Sequence, residues 1–589
     1  MTTQNEDIDE SLYSRQLVTI GKDAMNKMVK SSVFISCAEN LSGVSLELAK
    51  CIILAGIKNV TLHSTYDVLT YKDLASNYYT SVEDIGKPFL KKVLKKLSEL
   101  NNNVTVNVSE FITSDIIKKY DCVVFCDYNI YNLLFWNRIC RENGIKFIML
   151  QTYGLIGNIF CDFGNNHLIN DLDGESIKSG MISSTEFNKY FTDEAHKLFT
   201  GDTLEFNDNE NKKYIIKVES ATSFLIREFT NDMCELSQEN LQLLAHKITK
   251  TNNTIHELNP QNLSFKQVKL LTKMKFKSLA ESLVNPDFVM FDTMNWDTPK
   301  ILHCFMKALA MWKLDNKFIF DANIYVDDIW ESYPVCNDDY ENLKQFFHQE
   351  LSFSKFPEKL ILTNEMNTLF EKMTMTCNGR ICGVDSVIGA IGAQEVIKGI
   401  SNKFTPTKQF MHFEALNILP DNYLMQRRNN EEKFKPKKTR YDGQLVILGD
   451  DFIKNIRNNN VFIVGAGAIG CEHIKNFCMM GANKIFVTDM DHIENSNLNR
   501  QFLFQREDIG KPKSVVAAIK AKSINPDVET VSHQNKVCNE TLNIYDYSFF
   551  EKINVVANAL DNVEARLFVD SLCVKYDKPL LESGTLGTK

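Results

Sequence analysis

At 589 residues the chain exceeds the roughly 250 to 300 at which a single hydrophobic core stops growing, so several domains are expected. Its composition is ordinary globular, 44% hydrophobic and 24% charged, and a net charge of -9 leaves no basic stripe to neutralise phosphates, which argues against a nucleic-acid partner. Fifteen cysteines without a CxxC pair suit reduced thiols in a cytosolic or nuclear protein, and no run reaches the roughly 18 apolar residues of a membrane span, so a soluble chain with no membrane partner is expected.

The predicted elements begin with "YSRQLVTIG" (Tyr13 to Gly21), which leads into an apolar strand, "SSVFIS", and a turn, "SCAENLSG". "LKKVLKKLSEL" reads as an amphipathic helix with a solvated face. Residues 157–260 are polar with short β-type runs such as "YIIKVESATSFLIREF", the pattern of a small β-rich insertion. Residues 261–350 change to apolar spacings of three and four, in "FKQVKLLTKMKFKSLAESL" and "TPKILHCFMKALAMWKL", which predicts a helical bundle. Over 351–425, "CGVDSVIGAIGAQEVIKGI" is one more helix and "KQFMHFEAL" a strand returning to the first unit, whose first part is residues 1–156. A charged linker then leads into a second unit, 426–589.

That second unit repeats the first. "YDGQLVILG" and "NNVFIV" lie 428 residues after their counterparts at Tyr13 and Val33, Gly481 lies 425 after Gly56, and the "EDIGKP" at Glu507 lies 424 after that at Glu83. Two related α/β units therefore bracket the chain.

The second copy carries the equipment of a nucleotide site. "VFIVGAGAIGCEHIKNF" spaces Gly465, Gly467 and Gly470 as a phosphate-approaching turn between strand and helix. Asp489 ends the next strand, where a carboxylate grips ribose hydroxyls. Asn497, Arg500 and Gln501 then cluster on one loop, and Lys513 stands near a helix start; such cations suit a triphosphate with a leaving pyrophosphate, which favours ATP over a nicotinamide cofactor. Asp561, at another strand end and followed by Asn562, is placed to hold Mg²⁺. In the first copy Ser64, Ser76 and Phe89 stand opposite Asp489, Arg500 and Lys513, yet Arg15 is kept where the second copy has Gly443. A pseudo-twofold dimer within one chain is expected, with Arg15 reaching across as an arginine finger. Cys471, Cys478, Cys538 and Cys573 fall on helical patterns and read as core thiols, and His473 and His492 carry no expected role.

"SNLNRQFLF", "NALDNVEAR" and "PLLESGTLGTK" resemble the active adenylation domain of ubiquitin-activating enzymes, and "YSRQL", "IGAQEVIKGISNKFTP" and "QFMHFEALNILP" resemble the inactive one. The resemblance covers nearly the whole chain. It implies two Rossmann-like adenylation units forming a pseudo-dimer, with a first catalytic-cysteine half-domain as the β-rich insertion and a four-helix bundle after it. The implied reaction joins the C-terminal glycine carboxylate of ubiquitin to AMP, from ATP and Mg²⁺, with release of pyrophosphate. Gly465, Gly467, Ala468 and Gly470 would line the nucleotide, Asp489 the ribose, and Asn497, Arg500, Gln501 and Lys513 the phosphates; Asp561 and Asp491 would bind the metal, with Asn562 beside them. Arg15, Arg500, Lys513 and Asp561 form the catalytic set.

The family continues beyond the position of Lys589 into a cysteine domain, further strands of the adenylation domain and a ubiquitin-fold domain, so partnership with ubiquitin-conjugating enzymes would run through regions outside this chain. No thioester with ubiquitin is expected from these residues, and a monomer with an internal pseudo-dimer is. Three readings stay open: an adenylating enzyme for ubiquitin or a related modifier, a module that binds ATP or ubiquitin without turnover, and a nicotinamide-dependent oxidoreductase.

Overall fold

The computed structural model describes residues 8–207, 212–230, 233, 238–250, 262–289, 296–315, 337–354, 356 and 363–584. The chain divides into two compact units: Met1–Gly164 with Phe276–Ser401 and Pro406–Leu586, and a smaller one, Asn165–Lys275 with Asn402–Thr405.

The larger unit contains both copies of the repeat. The first copy is a seven-stranded sheet built from β1 (Ser32–Cys37), β2 (Asn59–Ser64), β3 (Thr105–Val108), β4 (Cys122–Cys126), β5 (Lys146–Tyr153), β6 (Ile156–Asp162) and β7 (Phe410–Glu414), in the order β7-β6-β5-β4-β1-β2-β3. From β3 to β5 the pairing is parallel, and β6 and β7 run antiparallel. The sequence explains why: β1, β4 and β5 are near-continuous apolar runs, as strands covered on both faces must be. Its helices include α1 (Glu10–Ile20), α2 (Gly43–Leu54), α3 (Thr298–Asp315) and α4 (Cys382–Ser401). The glycines of α4 let it lie close: a Cβ at Gly389 would fall 2.6 Å from Glu47 Cβ on α2, and one at Gly392 2.5 Å from Leu150 on β5.

The second copy is a five-stranded parallel sheet of β8 (Asn460–Val464), β9 (Lys484–Thr488), β10 (Glu529–His533), β11 (Val555–Asn558) and β12 (Leu580–Leu581), ordered β10-β9-β8-β11-β12. Its helices include α5 (Ala468–Met480), α6 (Lys513–Ile524) and α7 (Val563–Lys575). The repeat holds to the level of single bonds. Val33 pairs with Val60 as Val461 pairs with Ile485. The Asn101 amide donates to Tyr13 Oη and Ile53 O at 2.8 and 2.9 Å, while Asn525 donates to Tyr441 Oη and Cys478 O at 2.9 and 2.7 Å. One apolar core spans both copies, joining Leu12, Tyr13, Leu54 and Tyr78 of the first to Ile463, Ile474, Phe502 and Ala517 of the second.

The smaller unit is a seven-stranded antiparallel sheet around Tyr190, Phe206, Tyr214, Phe224 and Phe265. Two stretches cross the expected borders. Gly157–Asp162 belongs to β6 of the first copy. The helix expected over Phe265–Leu283 forms only at Leu279–Val284; Ser264–Gln267 and Thr272–Met274 are strands. The mixed apolar and lysine spacing there fits both periods, and Phe265 is drawn inward when its strand enters the sheet between Ser179–Met181 and Thr203–Phe206. Of the bundle expected over residues 261–350, Thr298–Asp315 and Asn337–Phe353 are helical, and Asn364–Thr376, beyond that range, packs with them, Phe305, Phe347 and Phe370 being buried together; residues 261, 290–295 and 316–336 of that expectation lie outside the described residues.

Candidate functional site

In the second sheet β8 lies between β9 on one side and β11 on the other, so its carboxyl end is a topological switch point, where open α/β sheets bind ligands. The glycine turn sits there. Gly465 has φ of 102°, a conformation an L side chain rarely adopts, and a Cβ on it would lie 2.6 Å from Ala559 O. Gly470 presses the first turn of α5 onto the strand: its Cβ would lie 2.1 Å from Gly465 O. At Gly467 a Cβ meets nothing within 4 Å, so this residue alone of the three opens onto free space. Gly467 is also the N-cap of α5 and has no side chain to satisfy the first amides, which Ala468 begins, leaving an anion cradle with the positive end of the helix behind it.

Asp489 is locked against this turn. Its Oδ2 accepts from Ala466 N at 2.7 Å and its Oδ1 from Asp491 N at 2.8 Å. Burial pushes its carboxyl up, opposed by those two amides and by the charge of Lys513. Lys513 opens α6, is buried, and its ammonium lies 2.9 Å from the exposed Asp491 carboxylate. Asp561 is exposed at the turn after β11, and Asn562 beside it caps α7 by accepting from Ala565 N at 2.8 Å. Asp491 and Asp561 thus follow the two strands that flank β8.

Arg500 is half-buried, its guanidinium donating to Asn499 Oδ1 at 3.0 Å. Its pKa is lowered, first by burial and then by the charge of Arg15, the exposed arginine of α1 in the other copy. Asn495 Nδ2 donates to Ser11 Oγ at 2.6 Å, stitching α1 to the loop that carries Arg500. Arg15 and Arg500, from the two copies, therefore lie near enough for their charges to interact. Asn497 is placed less freely than expected: it is buried, and its Oδ1 accepts from Glu494 N at 3.0 Å in a capping box. Gln501 is buried as well, and its Oε1 has no partner among the described residues, nor has Oδ1 of Asn558 at the end of β11.

The first copy shows why it lacks this equipment. Ser64 donates to Tyr66 O at 2.8 Å in place of a ribose-binding carboxylate, and Phe89 is buried core. The position of the anion cradle is filled: a Cβ at Gly43, the counterpart of Ala468, would lie 2.4 Å from Oδ2 of Asp385, whose carboxylate pairs with Arg380 at 3.4 Å while Arg380 also holds Asp127 at 3.0 Å. Sequence reading missed this plug, since Asp385 lies on α4, more than 340 residues from Gly43 in the chain.

The cysteines read as core thiols are mostly that. Cys471 and Cys478 are buried and pushed up by burial to about 12, and Cys573 to about 11; Cys538 is half-buried. Burial lowers the pKa of His473, whose Nε2 lies 3.2 Å from Ser583 Oγ. Among the described residues no helix is long and apolar enough to cross a membrane.

Two α/β copies sharing a core, one with an open glycine turn and one with that position filled, define a pseudo-dimeric protein of two Rossmann-like units. The model of the ThiF family matches residues 13–436 and 441–589, and the chain belongs to that family. It is 37% identical over 595 residues to ubiquitin-like modifier-activating enzyme 1 of Mus musculus, covering 99% of this chain and 53% of that protein. It is 38% identical over 594 residues to ubiquitin-activating enzyme E1 1 of Candida albicans (strain WO-1), covering 99% and 55%, and 35% identical over 597 residues to ubiquitin-activating enzyme E1 2 of Arabidopsis thaliana, covering 100% and 52%. The chain spans about half the length of the curated relatives it matches.

Proposed function

We propose that the chain carries the adenylation step of ubiquitin activation, in which ATP and the C-terminal glycine carboxylate of ubiquitin give ubiquitin adenylate and pyrophosphate. The observation that carries this reading is the open glycine turn at the switch point of the second sheet, together with the bond from Asn495 to Ser11 that brings the loop of Arg500 against the helix of Arg15. A carboxylate oxygen attacks the α-phosphorus in line, the bond from that phosphorus to the bridging oxygen breaks, and pyrophosphate leaves with the charge. No proton moves, so the work left to the protein is positioning and charge stabilisation. Asp489 holds the ribose; the amides that begin at Ala468, with Arg500 and Lys513, hold the phosphates; Arg15 meets the charge that develops as pyrophosphate leaves.

Mg²⁺ would sit at Asp561, with Asp491 as a second carboxylate once phosphate competes for Lys513. With two carboxylates from the protein, such an ion would keep water and phosphate oxygens as most of its ligands. The metal would neutralise phosphate charge. The same reading places the protein in the cytosol and nucleus, as a monomer whose internal pair of copies stands in for a homodimer, with ubiquitin as partner.

Calorimetric titration with ATP and Mg²⁺, and with NADH, tests the nucleotide; binding of NADH without ATP would refute it. Exchange of labelled pyrophosphate into ATP that requires ubiquitin tests the reaction. Binding of ATP with no exchange would leave a non-catalytic nucleotide module.

A further inference from the structure

At the seam between the two copies lies a buried group of charges that the reaction does not use. Glu47 and Lys50 on α2 occupy the positions of Glu472 and Lys475 on α5, each 425 residues on, and the four side chains close a ring across the pseudo-twofold axis. Lys50 Nζ lies 2.6 Å from Glu47 Oε1 and bridges to Glu472; Lys475 Nζ lies 2.7 Å from Glu47 Oε2 and 2.7 Å from Glu472 Oε2. Both lysines are fully buried. The ring is neutral, and replacing such a ring with apolar side chains is often no loss to stability, so its retention asks for another role.

Each ammonium also faces a ring of the other copy, Lys50 that of Phe502 and Lys475 that of Tyr78, the counterpart of Phe502 424 residues earlier. Lys475 donates to Ser386 Oγ on α4, at 3.0 Å, inside the first copy. Lys50 stands over the ring of Phe502, 4.3 Å from its centroid, a desolvated cation–π contact closer than that of Lys475 to Tyr78 at 5.2 Å or to Phe502 at 5.9 Å. Phe502 follows Arg500 and Gln501 directly, in a tight turn whose Arg500 and Gln501 amides donate to Asn497 O at 3.1 and 2.9 Å, so a shift of the ring carries the phosphate-binding side chains with it. Glu472, the other contact of Lys50 in the second copy, lies in the second turn of α5, behind the anion cradle.

We propose that Lys50, in the copy without a nucleotide site, is a positioning residue for the site of the other copy, fixing the Arg500–Gln501 turn through Phe502 and the start of α5 through Glu472. This rests on the nucleotide reading above. The two lysines provide their own control, because both belong to the same buried ring but Lys50 stands closer to the Arg500 turn, 4.3 Å from the Phe502 ring against 5.9 Å for Lys475, whose nearer ring is Tyr78 of the first copy.

The test is calorimetric titration of the full chain with ATP and Mg²⁺, paired with melting temperatures, for wild type, Lys50→Met, Lys50→Arg and Lys475→Met. Lys50→Met is expected to weaken ATP binding at least tenfold, and Lys50→Arg, which keeps the charge over the ring, to recover most of it. Lys475→Met, with a comparable fall in melting temperature, is expected to weaken binding less than threefold. Equal losses in the two Met variants, or full affinity in Lys50→Met, would overturn the proposal. Should Lys50→Met fail to fold, Phe502→Leu against Tyr78→Leu asks the same question with the charges intact, and equal effects there overturn it too. A wild-type chain that does not bind ATP would refute the nucleotide reading itself, a result distinct from wild-type binding with equivalent variants.

Discussion

The three glycines of the turn differ in what surrounds them, and so must their substitutions. A Cβ at Gly470 has a backbone carbonyl oxygen at 2.1 Å that cannot step aside, so Gly470→Ala should lower the melting temperature by several degrees, as an overpacked core position does at roughly 1–3 kcal/mol. Gly467 faces open space, so Gly467→Ala should melt near wild type but bind ATP more weakly, because the methyl stands where phosphate approaches. Melting curves and titrations on both variants decide it; the reverse pattern would mean that phosphate does not dock on this turn. Arg15 makes the second argument at this scale. It is exposed, and the seam between Ser11 and Asn495 holds its helix in place without it, so Arg15→Ala should fold normally. Its loss should lower the rate of pyrophosphate exchange on the order of 10²-fold with a much smaller change in ATP affinity, the signature of a contact made in the transition state. An unchanged rate would reduce Arg15 to a surface residue.

Strand β7 and helix α3 bring two histidines into an apolar core, with His303 and His412 ring centroids 5.5 Å apart and Phe410 and Phe288 around them. Burial lowers the His412 pKa from 6.5 to about 3, and that of His303 in the same direction, further pressed by the charge of a protonated His412. Both are therefore neutral in the folded chain. Below pH 6.5 the unfolded chain takes up protons that the folded chain refuses, so stability falls as pH drops towards 3, at up to about 1.4 kcal/mol per pH unit for each histidine. The melting temperature of wild type should decline between pH 6.5 and 5, and His412→Gln should decline less steeply, although it starts lower for want of the ring packing; parallel declines would show that His412 does not carry the effect. The helix misread over Phe265–Lys275 belongs to this scale as well. An isolated segment with lysines at irregular spacing has no preference strong enough to resist pairing, and three partner strands distant in sequence decided it.

The molecule as a whole is a repeat whose copies have parted in chemistry and kept their scaffold. All nucleotide affinity should therefore reside in the second copy: Asp489→Ala should weaken ATP binding beyond detection, while Ser64→Ala, at the equivalent strand end, should leave it unchanged, and titration of the two variants decides between a one-site and a two-site molecule. Much of this was legible without coordinates. The repeat, the strands and helices around Val33 and Val461, the three glycines, Asp489, Arg500 and Lys513 all announce themselves, because a buried parallel strand must be apolar throughout and a phosphate-binding turn needs glycine at fixed places whatever surrounds it. Those are local constraints, and local constraints are written into adjacent residues. What only the tertiary structure decided is what fills or supports a site from afar. Asp385 plugging the cradle at Gly43 and the ring of Glu47, Lys50, Glu472 and Lys475 join residues hundreds of positions apart, and a lysine or aspartate in a helix reads the same whether it faces water or an ion pair until the packing of the two copies takes the water away.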